Sequence, residues 1–395
     1  MKYVDEFRDP EKAQTLVEKI RALVDQIDAC KSRPLYIMEV CGGHTHAIFR
    51  YGIESMLPEE IELVHGPGCP VCVLPMGRVD DCVAIAETPK VIFTTFGDAM
   101  RVPGSSKSLL EAKAGGADVR MVYSPLDSLS LARDNPDKEV VFFGLGFETT
   151  MPSTALTVLQ AEAEGIENFS LFCNHITIIP AIKAILDAPG VQIDGFLGPG
   201  HVSMVIGNAP YDFVADQYDR PLVVTGFEPL DILHGIWMVL EQLASGEARI
   251  ENQYSRVVPD EGNGPALEAI AKVFELREFF EWRGLGSIDH SGVKMREAYA
   301  KYDAERKFSV PDLVIADPKA CQCGEVLKGV IKPYDCKLFG NDCTPETPMG
   351  ALMVSSEGAC AAYSRYGRVE KLVPLLGRGA GTGTGKAPQA EVEAP

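Results

Sequence analysis

The sequence lacks any uninterrupted apolar run approaching the ~18 residues of a membrane-spanning helix. Its first residues, Met1-Lys2-Tyr3-Val4-Asp5-Glu6, carry no apolar signal region. Neither a bilayer nor export is called for, and a cytoplasmic location is expected. Positive charge is scarce: 37 Lys and Arg face 56 Asp and Glu, for a formal net charge of −19. That excludes the clustered basic surface that binds DNA or RNA phosphates. A phosphate loop is missing too. Residues 379–386 have the glycines, but Ala380 breaks the spacing and no Ser or Thr follows Lys386. Apolar material is not lacking. At 46% hydrophobic and 24% charged, 395 residues can fill the cores of two or three domains.

Cysteine is abundant, with eleven in the chain. In a reducing compartment such thiols serve as metal ligands or redox groups rather than structural disulfides. Cys41, Cys69 and Cys72 lie early, and Cys321, Cys323, Cys336, Cys343 and Cys360 crowd near the end. Cys30, Cys82 and Cys173 stand alone, and for Cys30 and Cys82 the expectation is a small buried hydrophobe.

Residues 10–29 carry a helical apolar stripe through Ala13, Leu16, Val17, Ile20, Leu23, Val24 and Ile27. Short apolar runs follow at 35–40, 61–64, 91–96 and 119–123, separated by helix-compatible segments. The alternation resumes at 140–145, 169–172, 193–197 and 222–225, which indicates an α/β fold with mainly parallel sheets. Cys41 and Cys173 stand 132 positions apart, as do Gly66-Pro67-Gly68 and Gly198-Pro199-Gly200. This predicts an internal duplication of two Rossmann-like domains, residues 31–125 and 138–228. Helical segments at 230–244, 265–280 and 292–302 predict a third, mainly helical domain from residues 1–30 with 229–375. The Gly-, Ala- and Pro-rich residues 376–395 are expected to be a disordered tail.

Three thiols and three imidazoles fall in one short window, Cys41-Gly42-Gly43-His44-Thr45-His46 and His65-Gly66-Pro67-Gly68-Cys69-Pro70-Val71-Cys72. A soft metal held by the Cys41 thiolate with His44 close by is the economical assignment for the first motif, against a Cys–His nucleophile pair. His46 and His65 suit a ligand or a structural histidine equally. Cys69 and Cys72 form a Cys-x-x-Cys unit suited to dithiol–disulfide chemistry, with a shared metal or two buried thiols as alternatives. The C-terminal thiols suit a [4Fe–4S] cluster, because ligand density is high and the paired short knuckles of structural zinc are missing; zinc and free thiols remain as alternatives. Gly146-Phe147-Glu148-Thr149-Thr150 ends a strand and begins a helix, where open α/β sheets bind ligands, and Glu148 is a candidate acid/base there.

These motifs, with Thr95-Phe-Gly-Asp-Ala-Met-Arg-Val-Pro-Gly, Gly226-Phe-Glu-Pro-Leu-Asp-Ile-Leu, Cys323-Gly-Glu-Val-Leu-Lys-Gly and Ser355-Ser-Glu-Gly-Ala-Cys360, resemble the HypD family of hydrogenase maturation proteins. The resemblance runs from about Phe7 to Tyr366. It implies a scaffold for the iron of [NiFe]-hydrogenases, which carries two cyanides and one carbon monoxide. The implied partners are a HypC-type chaperone, a HypE-type cyanide donor supplied by HypF from carbamoyl phosphate and, indirectly, the hydrogenase large subunit. By resemblance Cys41 is the iron-holding thiolate, shared with the chaperone's N-terminal cysteine, with His44 beside it. Cys69 and Cys72 are the redox pair. The C-terminal thiols are the [4Fe–4S] ligands, in a domain similar to ferredoxin–thioredoxin reductase, so that electrons pass from cluster to dithiol to iron. The sequence departs from the family at Leu352, where members commonly carry a further cysteine. With Cys323 then the spare thiol, Cys321, Cys336, Cys343 and Cys360 are the expected ligands. Such a protein is an assembly scaffold with redox activity rather than a conventional turnover enzyme. The rival is a general thiol–disulfide oxidoreductase using a [4Fe–4S] cluster, for which Cys41-Gly-Gly-His has no use.

Overall fold

The computed structural model describes residues 5–27, 32–310 and 313–367. Cys30 and the tail at 376–395 lie outside the described residues. Nine strands build two parallel sheets. The first holds β1 (Leu35–Glu39), β2 (Ile61–His65), β7 (Gly195–Pro199), β8 (Leu222–Thr225) and β9 (Ile250–Asn252), in the order β2-β1-β7-β8-β9. The second holds β3 (Val91–Thr95), β4 (Val119–Met121), β5 (Glu139–Gly146) and β6 (Phe169–His175), in the order β4-β3-β5-β6. Strands buried on both faces read as continuous apolar runs, and β5 and β6 are buried almost throughout.

The pairing cuts across the expected domains at 31–125 and 138–228. The chain leaves the first sheet after β2, builds all of the second, and returns at β7. It also argues against a duplicated unit. The 132-residue shift lays β1 and β2 over β6 and β7, yet β1 pairs with β2 while β6 and β7 lie in different sheets. The two Gly-Pro-Gly tripeptides differ as well. Gly66-Pro67-Gly68 is a loop, whereas Gly198 and Pro199 end β7 and Gly200 opens a helix. Local sequence sets strand propensity; which strands pair is decided by long-range packing, which periodicity does not encode.

Helices Pro10–Val24 and Pro229–Ser245 cover one face of the first sheet together, with Val17, Ile20, Ile37, Ile236 and Leu240 in one core. Asp9 caps the first of these helices by accepting from the backbone N–H of Glu11 and Lys12. The second therefore belongs to this layer, not to the cysteine-rich region. That region is not mainly helical either. After helix Gly264–Val273, β10 (Phe274–Leu276) pairs with β13 (Val293–Met295), and β11 (Phe279–Trp282) with β12 (Gly286–Asp289), all antiparallel. The expected helix at 292–302 is β13 followed by a 3-10 turn, Glu297–Tyr302. The alternating burial along β11, with Phe280 and Trp282 inward, is the period-2 pattern that overrode the helical assignment. The opposite face of the first sheet shares a core with the C-terminal segment, where Met38, Val64 and Phe196 join Cys72, Cys323 and Cys360. Among the described residues no helix is long and apolar enough to cross a membrane.

Candidate functional site

The carboxyl-terminal ends of strands from both sheets open into one cavity of about 540 Å³. It is lined by Cys41 and Gly43 after β1, Pro70 and Val71 after β2, Gly97 and Asp98 after β3, Thr149 and Thr150 after β5, His201 after β7, and Ser355 and Glu357 from the C-terminal segment. Ligand sites of parallel sheets lie at such ends, because loops and helix N-termini converge there.

Cys41 is the N-cap of helix Gly42–Arg50, with extended backbone at φ −145°. Its carbonyl accepts the N–H groups of His44 and Thr45 at 2.8 and 3.2 Å. Gly68 packs directly on it, and a Cβ at 68 would overlap the Cys41 backbone. That contact explains the glycine before the Cys69–Cys72 pair: it lets the dithiol loop lie against Cys41. Glu357 packs in the same way on Gly42. Burial pushes the Cys41 thiol up, and the Glu357 and Glu39 carboxylates push it further, while the backbone N–H groups of Gly43 and His44 work in the opposite direction. A cation at the sulfur reverses that balance, since a metal-bound thiol is deprotonated outright. The donor chemistry at the end of β1 therefore fits a soft metal ion.

Cys69 and Cys72 are both buried, with sulfurs 2.6 Å apart and Cys72 donating to Cys69, the proximity that dithiol–disulfide exchange requires. Burial raises the Cys72 thiol well above its usual range, with added contributions from Cys69, Glu357 and Cys323. Cys323 thus sits in the electrostatic surroundings of the dithiol. It also meets two other C-terminal thiols: Cys321 donates to it at 3.2 Å, and Cys360 lies in its electrostatic surroundings and raises it. A Cβ on Gly350 would lie 2.5 and 2.7 Å from the Cys323 and Cys321 sulfurs, so only glycine fits beside them. Cys336 and Cys343 bracket a tight turn, with Phe339 N–H on the Cys336 carbonyl at 3.0 Å and Cys343 N–H on Leu338 at 2.9 Å. Cys343 shares a packed core with Cys323 and Cys360. Among the described residues no three of Cys, His, Asp and Glu are arranged as a metal site; five thiols in this short segment are the donor type that an iron–sulfur cluster takes. Leu352 is buried, and its backbone helps to lower the Cys323 thiol.

The histidines take separate places. His44 is buried behind the cavity wall, its Nε2 on Thr225 Oγ1 and the Gly226 carbonyl at 2.9 and 3.0 Å. Its Nδ1 is buried without a hydrogen-bond partner, as is that of His46. His44 and His201 each stack on Phe227, at 4.7 and 3.8 Å. Burial lowers both imidazoles, His201 to about 4, so both are neutral at pH 7. His65 turns away from the cavity toward Glu39.

Glu148 is also directed elsewhere. Its neighbours Phe147 and Thr149 line the cavity, but its carboxylate is buried and accepts the Ile178 N–H at 3.1 Å, at the start of helix Ile178–Leu186. Burial raises it to about 7. It is a helix-capping acid, not an acid/base group facing the cleft. The residues that do face Cys41 from the C-terminal side include Ser355, which donates to Asp98 at 2.9 Å, and Glu357, raised by burial, Asp98 and Glu39. Sequence reasoning missed Glu357 because it stands 316 positions from Cys41. Glu39 was legible in principle, as a carboxylate ending an otherwise apolar strand.

Residues 11–367 match the family model described as the hydrogenase formation hypA family, HypD. The chain is 61% identical over 371 residues to a hydrogenase maturation factor HypD of Rhodobacter capsulatus, covering 93% of this chain and 98% of the relative. It is 58% identical to a hydrogenase maturation factor HypD of Escherichia coli, covering 94% and 99%, and 54% identical to a hydrogenase expression/formation protein HupD of Azotobacter chroococcum, covering 93% and 97%. With the family model spanning nearly all of the chain and relatives matched along almost their whole length, this protein belongs to the HypD family of hydrogenase maturation factors.

Proposed function

We propose that the chain is a cytoplasmic scaffold on which the iron of a [NiFe]-hydrogenase receives its cyanide and carbon monoxide ligands, with Cys41 as the thiolate that holds the iron. One observation carries this proposal. Cys41 opens into a cavity between two sets of strand ends, and the Cys69–Cys72 loop rests on its backbone through Gly68. Iron is the cargo, held partly by this chain and partly by a small HypC-type chaperone docked over the cavity. A HypE-type donor brings cyanide, and the product passes to the hydrogenase large subunit.

Cyanide carried as a thiocyanate is released as an anion only on taking up two electrons. The Cys69–Cys72 dithiol supplies them by closing to a disulfide: two thiols and R–S–C≡N give a disulfide, R–S⁻, CN⁻ and two protons. A [4Fe–4S] cluster on Cys321, Cys336, Cys343 and Cys360 would supply single electrons to reopen that disulfide. Cys323, between the C-terminal thiols and Cys72, suits the path between them. Burial keeps the dithiol away from water and competing oxidants, and the neutral His201 and the Asp98–Ser355 pair offer polar contacts to small ligands without adding positive charge.

Infrared spectroscopy of the protein purified with its small chaperone tests this. Cyanide and carbonyl bands are expected in the wild type and absent in Cys41→Ala. Unchanged bands in that variant overturn the role of Cys41.

A further inference from the structure

Beneath Cys41 lies a buried polar network with no part in the chemistry above. Glu39, the last residue of β1, is completely buried. Its Oε2 accepts the Cys41 N–H at 2.9 Å. Its Oε1 accepts the Thr45 hydroxyl and meets His65 Nδ1 at 2.8 Å. One carboxylate thus grips the N-cap and the first turn of the helix that carries Cys41. His65 ends β2 and pairs with Glu39 in register across the sheet. Its Nε2 faces Glu54 Oε1 at 3.7 Å, and Glu54 accepts from the Tyr363 hydroxyl at 3.3 Å, on the helix that carries Cys360. Phe49 and Tyr363 wall the imidazole, at 5.0 and 6.0 Å between ring centres. Nε2 has no hydrogen-bond partner. Burial works against a charge on this ring, but the hydrogen bond to Glu39 and the nearby Glu39 and Glu54 carboxylates outweigh it and raise its pKa.

A carboxylate in a core is costly unless every oxygen is engaged, and a hydrophobic residue at this place would extend the Leu35–Ile37 core at no such cost. Here both oxygens are engaged, by the segment that carries Cys41 and by His65. We propose that Glu39 and His65 are positioning residues for Cys41: Glu39 fixes the helix start that aims the sulfur into the cavity, and His65, packed between Phe49 and Tyr363, fixes Glu39. This inference rests on Cys41 being the functional thiolate, but its geometry is testable without iron.

The test is alkylation of the full-length, metal-free chain by iodoacetamide, mapped by peptide mass spectrometry. Cys82, fully buried in helix Met76–Ala86, reports any global loosening. His65→Leu and the isosteric Glu39→Gln are each expected to speed modification of Cys41 roughly fivefold, the equivalent of one buried hydrogen bond, with Cys82 unchanged. His65→Gln, whose amide can still donate to Glu39, is expected to stay close to wild type. Equal Cys41 rates in all four proteins, or a parallel rise at Cys82, overturn the proposal. The same variants purified with the chaperone are expected to show split or shifted cyanide bands for His65→Leu and a single set for His65→Gln. Bands retained in all of these and in Cys41→Ala overturn the role of Cys41 as the iron-holding thiolate alone, since the alkylation result stands independently.

Discussion

Cys41 and Cys173 invite comparison. Each follows an apolar strand run, each is buried, and burial pushes each thiol up, Cys173 to about 12. Their fates differ because of where the strands stop. β1 ends at Glu39, so Cys41 lies beyond the sheet, caps a helix and faces the cavity. β6 continues to His175, so Cys173 is still paired across the sheet, opposite Gly144, and its sulfur donates to the Val293 carbonyl at 3.4 Å. Four residues of strand length separate a position beyond the sheet from one packed within it. In a parallel sheet, chemistry belongs to residues past the last ladder bond, where the side chain is released from the period-2 constraint of the strand.

The comparison predicts its own tests. The largest effect is expected at Cys41. Cys41→Ser, nearly isosteric, should abolish hydrogenase maturation and the infrared bands together, whereas retained bands would remove the distinction altogether. Glu148 comes next, as the acid that the second sheet turned inward. Its pKa is raised from 4.5 to about 7, so the folded state keeps a proton that the unfolded chain has lost. That contribution to stability is fully present below pH 4.5 and lost as pH rises through 7, a change of about 3 kcal/mol. Unfolding by denaturant from pH 5 to pH 8 should therefore show wild type losing about that much more stability than Glu148→Gln. A parallel pH dependence in both would mean that the carboxyl is not held protonated. Gly68→Ala should follow, because its Cβ has to displace the Cys41 backbone. A cost of about 1–3 kcal/mol in stability is expected, with at least a tenfold loss of maturation activity in a cell-based hydrogenase assay. The smallest effect is expected at Cys173. Cys173→Ala should cost about 1–2 kcal/mol as a small core truncation and leave the infrared bands as they are. Altered bands there would show that the second sheet's thiol also takes part.

Much of the site could be read along the chain. Cys41, Cys69, Cys72 and the five C-terminal thiols stood out because thiols at such close spacing have few bland uses. The apolar runs of the first eight strands were legible for a similar reason, since a strand buried on both faces has little freedom in composition. Glu148 shows the limit. Its place after a strand was read correctly, but sequence does not say which way a side chain turns, and the free N–H at the start of helix Ile178–Leu186 claimed it. The short strands from Ile250 onward went unrecognised because three- and four-residue strands carry too little periodicity.

By itself the sequence determined the α/β class, the thiol inventory and the family, all properties of local composition and contiguous motifs. Tertiary structure alone decided that β1 and β2 share a sheet with β7 and β8, that Glu357 faces Cys41, and that Glu39 and His65 meet beneath it. These are contacts between residues far apart in the chain. They are selected by the burial of whole faces and the pairing of buried charges, and no local pattern records them.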